Sequence, residues 1–231
     1  MNYYEQNIEK FPILLNDIES VDFEGIAEYL TDPNECGKLS PHILKEWIIK
    51  DCTLTREWWE QEWYPGSLLY SCGLTLHAII AAIEPKIVVE IGSFLGMSTC
   101  FIADSLSHEE AHIDSVDIWA ETAEEYLGVH RGHTIKRFPP KIDCVSLITA
   151  HGEEYLKTLK SNSVDFIFED ANHTYETTKA IIEQVPRVLK IGGILASHDA
   201  LVKPVAQAYE NVFRLKNCKL LSNGMILWKK S

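Results

Sequence analysis

An apolar run, Ile87-Val88-Val89, stops at Glu90, and Ile91-Gly92-Ser93-Phe94-Leu95-Gly96 then leads into a helical pattern from Met97 to Leu106. A buried strand, a tight turn and a helix start, in that order, constrain this chain more than any other feature. Together they are the unit from which an α/β sheet builds a ligand-binding edge. The turn carries Gly92 and Gly96, with Glu90 ahead of them. A dinucleotide-binding turn would place a further glycine at position 94, where this chain has Phe94.

Past Pro85 short apolar runs alternate with helical periodicity. Strands are predicted at Ile87–Ile91, Ile113–Ile118, Cys144–Thr149, Val164–Glu169, Gly193–Ser197, Cys218–Leu221 and Met225–Trp228. Asn223-Gly224 is a hairpin signal between the last two. Five strand–helix units closed by a hairpin imply a Rossmann-like, seven-stranded, mostly parallel sheet with an antiparallel C-terminal hairpin and helices on both faces. Thr174 is placed to cap a helix that runs on to Leu189, and Pro186 should kink that helix or mark its last turn.

Before position 85 the pattern is helical. Ser40-Pro41 is a strong helix start, and Gly66 to Glu84 is a further helix, apolar on most faces and ended by Pro85. The expected division is a helical N-terminal extension over residues 1–84 and an α/β domain over residues 85–231. The aromatic run from Trp58 to Tyr64 either lines a pocket rim or staples the extension onto the sheet, and packing is the commoner use of such residues.

The formal net charge of −13, with no basic block, argues against nucleic acid or an anionic membrane as the main partner. A small molecule is the expected substrate, with a homo-oligomer compatible with the chain. The six cysteines form no Cys-x-x-Cys pair and read as reduced thiols. The polar, acidic start from Met1 to Lys10 and the lack of an apolar run of about 20 residues lead to the expectation of a cytoplasmic protein without a membrane span.

Ligands of open α/β sheets bind beyond the carboxyl ends of the strands. The first strand ends at the glycine turn, whose backbone a ligand can approach, with Ser93 in the turn and Ser98 at the helix N-terminus. The second ends at Val116-Asp117-Ile118-Trp119, where Asp117 can accept from a ribose diol and Trp119 offers a flat face for a base. The alternatives there are a solvated acid and a packing tryptophan. The third ends at His151-Gly152, the fourth at Glu169-Asp170-Ala171-Asn172-His173, and the fifth at His198-Asp199. The long stretch from Ala120 to Lys141, with Tyr126, His130, Arg131, His133, Arg137 and Phe138, is the expected substrate lid.

Glu90-x-Gly92-x-x-x-Gly96 resembles motif I of the class I S-adenosylmethionine-dependent methyltransferases. The run Asp170-x-x-His173-x-Tyr175-Glu176 after a buried strand is similar to the macrocin O-methyltransferase-type group, as are Val116–Trp119 and Gly192–Asp199. The resemblance spans residues 87–228. It implies S-adenosyl-L-methionine as cofactor, with motif I matched by Glu90, Gly92 and Gly96, and the ribose acid by Asp117. Ser93, Ser98, Trp119, His151, Gly152 and Asp170 complete the expected cofactor set. In metal-dependent members His173 would match the general base and Asp170, with His198 and Asp199, the ligands of a divalent metal. Magnesium prefers oxygen donors, and His198 is not one. The function so implied is methyl transfer to a hydroxyl oxygen of a small molecule. The rival readings are a nicotinamide-dependent Rossmann oxidoreductase and a non-catalytic cofactor-binding protein. In a purely structural reading His173 and Asn172 cap the helix that follows them, and Asp199 caps the helix after the fifth strand.

Overall fold

The computed structural model of the chain describes residues 18–31, 39–63, 66–107, 109–118 and 142–231. Trp119, the expected lid from 120 to 141, Cys36 and Tyr64 lie outside the described residues. Strands β1 (Ile87–Ile91), β2 (His112–Asp117), β3 (Val145–Thr149), β4 (Val164–Glu169), β5 (Leu189–Ser197), β6 (Cys218–Leu220) and β7 (Ile226–Lys229) form one sheet. Their order is β3-β2-β1-β4-β5-β7-β6. The first five are parallel, and β7 runs antiparallel to β5 and β6. Strand order reverses between β1 and β4, so a crevice opens where their carboxyl ends meet.

The helices are α1 (Phe23–Leu30), α2 (Pro41–Asp51), α3 (Arg56–Glu62), α4 (Tyr70–Ile83), α5 (Met97–Ser105), α6 (Gly152–Thr158), α7 (Tyr175–Ile182), α8 (Val185–Val188) and α9 (Lys203–Phe213). Ser40 caps α2, its hydroxyl accepting from the Ile43 N–H at 3.2 Å. Thr174 caps α7 through the Thr177 N–H at 3.3 Å.

Three expectations needed adjustment. The helix expected from Gly66 begins at Tyr70. The helix expected to continue to Leu189 is broken into α7 and α8, because Pro186 has no N–H to continue the ladder and instead occupies the first turn of α8. Strand β5 begins at Leu189 rather than Gly193. A register shift against β4 and a positive φ of 80° at Gly192 absorb both glycines into the strand.

Alternate strand residues feed two cores, as the pleat requires. Val88, Phe166, Phe168, Ala196 and Leu227 pack on the face covered by α1 to α5. Val89, Ile91, Ile167 and Leu195 face α6 to α9. The N-terminal helices therefore share a core with the sheet. Helix α4 is buried on nearly all sides, which explains its apolar circumference. It crosses α5 closely: a Cβ on Gly73 would lie 2.3 Å from Phe101 Cε2. The tryptophans of the aromatic run serve packing. Trp59 donates its indole N–H to the Leu68 carbonyl at 2.9 Å, and Trp58 meets Phe101 edge-on at 6.1 Å.

Candidate active site

The turn after β1 is built from within. Glu90 is fully buried and accepts from the Thr99 hydroxyl and, at 2.8 Å, from the Ser115 hydroxyl. Burial raises its pKa, against the pull of the Ser98, Thr99, Ser115 and Ser93 hydroxyls. Glu90 thus braces the turn from below and ties it to α5 and β2. Ser93 is also interior, its hydroxyl 2.5 Å from that of Ser115.

Gly92 is required twice over. Its φ is +90°, and a Cβ there would lie 2.1 Å from the Asp170 carbonyl oxygen. The β4 end therefore rests directly on the β1 turn, and the Asp170 N–H donates to the Ile91 carbonyl at 2.8 Å. Gly96, with φ +86°, is the N-cap of α5. Phe94, standing where a dinucleotide site has glycine, nonetheless takes a glycine-like φ of +46°. Its N–H donates to Asp117 Oδ2 at 2.8 Å. The ends of β1 and β2 are locked together by that bond, and Asp117 is held at the rim. Sequence reasoning missed Phe94, because only glycine advertises a left-handed position.

His151 is an exposed N-cap of α6 and makes no side-chain cap hydrogen bond. Gly152, the first residue of α6, allows that helix to touch β1, since a Cβ would lie 2.3 Å from Ile91 Cγ2.

Beyond β4 and β5 four side chains close into a ring of alternating charge. His173 Nε2 lies 2.9 Å from Asp170 Oδ1 and 3.2 Å from Asp199 Oδ2. His198 Nδ1 lies 3.1 Å from Asp199 Oδ2 and 3.4 Å from Asp170 Oδ1. All four are partly exposed. Neither His173 nor Asp199 is a helix cap: Thr174 caps α7, and α9 starts at Val202 without a side-chain cap. Both residues hold positive φ, 58° and 53°. The expected base and the expected ligands are thus one cluster.

Its electrostatics follow from that ring. Burial opposes charge on Asp170, yet the charges and hydrogen bonds of His198 and His173 bring its pKa down to about 2. Burial also opposes the His173 imidazolium, but the Asp170 hydrogen bond and the charges of Asp170, Asp199 and Glu169 outweigh it and raise the pKa. His198 is raised well above the histidine range, with the Asp170 charge overcoming burial. Behind the ring, burial pushes the Glu169 carboxyl up to about 7. Glu169 and Asp170 are neighbours whose environments drive their pKa values apart, a pattern found where groups are tuned for proton chemistry. Asp170, His173 and Asp199 are close enough to share an ion. That group offers two carboxylates and one imidazole and does not include His198; an imidazole donor suits a borderline transition metal better than magnesium.

Residues 89–200 match the family model of a methyltransferase domain. No curated protein matches the chain in sequence. Among solved structures it is similar to cofactor-bound Rv0187 from MTB, at 18% identity and a TM-score of 0.55, over 73% of this chain and 83% of that one. It is similar to the O-methyltransferase TomG from Streptomyces achromogenes, involved in tomaymycin synthesis and solved with SAM. The identity is 14% and the TM-score 0.57, over 74% and 85% of the two chains. It is also similar to an O-methyltransferase from Bacillus cereus in complex with SAH, at 16% identity and a TM-score of 0.55, over 93% and 100%. At these identities the likeness is one of fold.

Proposed function

We propose that this chain, whose residues 89–200 match a methyltransferase domain, is a class I methyltransferase that moves a methyl group from S-adenosylmethionine to a hydroxyl oxygen of a small molecule. One observation carries this reading. The glycine turn and the histidine–aspartate ring are in direct contact, Gly92 against the Asp170 backbone, so a donor on the turn and an acceptor at the ring would meet. The strand order also departs from that of a dinucleotide oxidoreductase, because antiparallel β7 is inserted between β5 and β6.

When bound, S-adenosylmethionine supplies a methyl group activated on a positively charged sulfur. Gly92 and Gly96 give the backbone room for it, with Ser93 and Ser98 supporting the turn from inside. Asp117, oriented by the Phe94 N–H, is the proposed acceptor for the ribose hydroxyls. His151 and Gly152 border the base, and Trp119 is proposed to cover it. Aligning the two reactants for in-line displacement is worth up to about 7–11 kcal/mol.

His173 then takes the acceptor proton. The Asp170 and Asp199 carboxylates that raise its pKa favour the imidazolium, so the proton is taken by the neutral fraction of His173, with Nε2–H given to those carboxylates and the lone pair on Nδ1. Asp170, His198 and Asp199 would hold a divalent ion, which when bound would lower the pKa of the acceptor hydroxyl and orient it. The free thiols Cys52, Cys72, Cys100, Cys144 and Cys218 fit a reducing cytoplasmic setting, and the charge of −13 fits a small-molecule acceptor rather than nucleic acid.

Calorimetry with S-adenosylhomocysteine and with NAD tests the cofactor, and binding of the first alone is expected. His173→Ala should keep that binding and lose methyl transfer by roughly 10²–10⁴-fold. Unchanged transfer would remove His173 as the base. Transfer by the unmutated enzyme with and without a chelator then separates the base alone from a metal-assisted site.

A further inference from the structure

A second group of ligand-type side chains meets inside the helical layer, away from the strand ends. Cys52 closes α2, His77 lies midway along α4, and Asp104 is in the last turn of α5. The Cys52 thiol, a His77 ring nitrogen and an Asp104 carboxylate oxygen lie within 4.8 Å of one another. His77 is only 1% exposed. Neither of its ring nitrogens makes a hydrogen bond to any described group. A buried polar side chain left in that state calls for a partner. Its Nε2 stands 3.4 Å from Asp104 Oδ2, outside hydrogen-bonding geometry. Two donors that each sit about 2.1 Å from a common tetrahedral ion are about 3.4 Å apart.

We propose that Cys52, His77 and Asp104 form a binding site for a borderline divalent transition metal, zinc foremost, separate from the ring at Asp170 and His173. The donor set makes the choice of metal. A thiolate and an imidazole select zinc or its neighbours over magnesium and calcium, which take oxygen donors. Asp104 is already oriented for the role. The Thr53 N–H donates to its Oδ2 at 2.9 Å, and the Thr53 hydroxyl donates to its Oδ1. On binding, the Cys52 S–H bond breaks, a metal–sulfur bond forms, and the proton leaves to solvent. Water completes the tetrahedron from the side on which Cys52 is half-buried. An ion here would pin the link between α2 and α3 onto α4 and α5.

Cobalt(II) titration of the metal-stripped full chain tests the site. One equivalent should produce the near-ultraviolet thiolate-to-cobalt charge-transfer absorption and the intense visible bands of a tetrahedral ion. That absorption should vanish in Cys52→Ser, and the affinity should fall about tenfold or more in His77→Asn. It should persist in His173→Ala, because the Asp170–His173 ring holds no thiol. Zinc should also raise the Tm of the unmutated chain and protect Cys52 from alkylation, as mapped by mass spectrometry. This protection is measured without any variant and stands even where Cys52→Ser fails to fold. A titration without charge-transfer absorption, absorption unchanged in folded Cys52→Ser, or alkylation of Cys52 at the same rate with and without zinc would each overturn the site.

Discussion

Phe94, His173 and Asp199 share a property that none of their side chains announces: each holds a positive φ at the candidate site. Such conformations cost about 1–3 kcal/mol each and persist only where surrounding contacts impose them. Asp117 does so for Phe94, and the charge ring for the other two. Residue-scale stability is set farther off, at Asp165. Its carboxylate accepts from the Ile87 N–H at 2.9 Å and the Lys86 N–H at 3.2 Å, and pairs with Lys190 at 2.6 Å. Burial opposes its charge, but the Lys190 hydrogen bond and these N–H groups win and lower the pKa. The folded-state value lies below the unfolded one, so this stabilisation is complete above the ordinary aspartate pKa of about 4. It disappears as pH falls from there through the depressed value. Asp165→Ala should cost about 1–3 kcal/mol at pH 7 in urea unfolding, and the difference from the unmutated chain should shrink across that acid window.

At the scale of elements, two glycines set how closely neighbours approach. In Gly92→Ala the new methyl would meet the Asp170 carbonyl and the left-handed φ would be strained, so β1 and β4 would have to part. The φ strain alone is worth about 1–3 kcal/mol. The expected outcome is a lowered Tm together with loss of S-adenosylhomocysteine binding by calorimetry. Gly73 is the counterpart between α4 and α5. Gly73→Ala should cost about 1–3 kcal/mol by pressing on the Phe101 ring. Adding Phe101→Leu should return part of that loss, which a double-mutant cycle by thermal unfolding would show as a favourable coupling.

For the whole molecule, the N-terminal layer closes the fold at its far edge. Helix α1 lies against the C-terminal hairpin: the Tyr29 hydroxyl donates to the Asn217 carbonyl, Lys219 pairs with Glu28, and the Ser222 N–H donates to Asp22 Oδ2 at 3.0 Å. Among the described residues strand β6 is at the sheet edge with β7 as its one strand partner, so α1 shields an edge open to unwanted pairing. Asp22 also caps α1, accepting from the Gly25 N–H at 2.8 Å. Asp22→Ala removes both contacts and should lower stability by about 1–2 kcal/mol. In light scattering, aggregation should begin at a lower temperature than for the unmutated chain.

Strands β1 and β4 fall where mostly apolar runs bounded by turn residues put them, because a strand buried on both faces is apolar over most of its length. The hairpin at Asn223-Gly224 and the caps at Ser40 and Thr174 were legible for the same local reason: each is decided by a few adjacent residues. The glycine turn was legible as a turn in the same way, with Gly92 and Gly96 both at positive φ. Partnership was not legible. Glu90 turned inward to brace the turn, His173 and His198 joined Asp170 and Asp199 in one ring, and Cys52, His77 and Asp104 met from three separate segments. Sequence determined the elements and the chemical types at their ends, since local periodicity and turn chemistry act over a few residues. Tertiary structure alone decided which groups meet and with what charge, since distance and burial depend on packing between segments far apart in the chain.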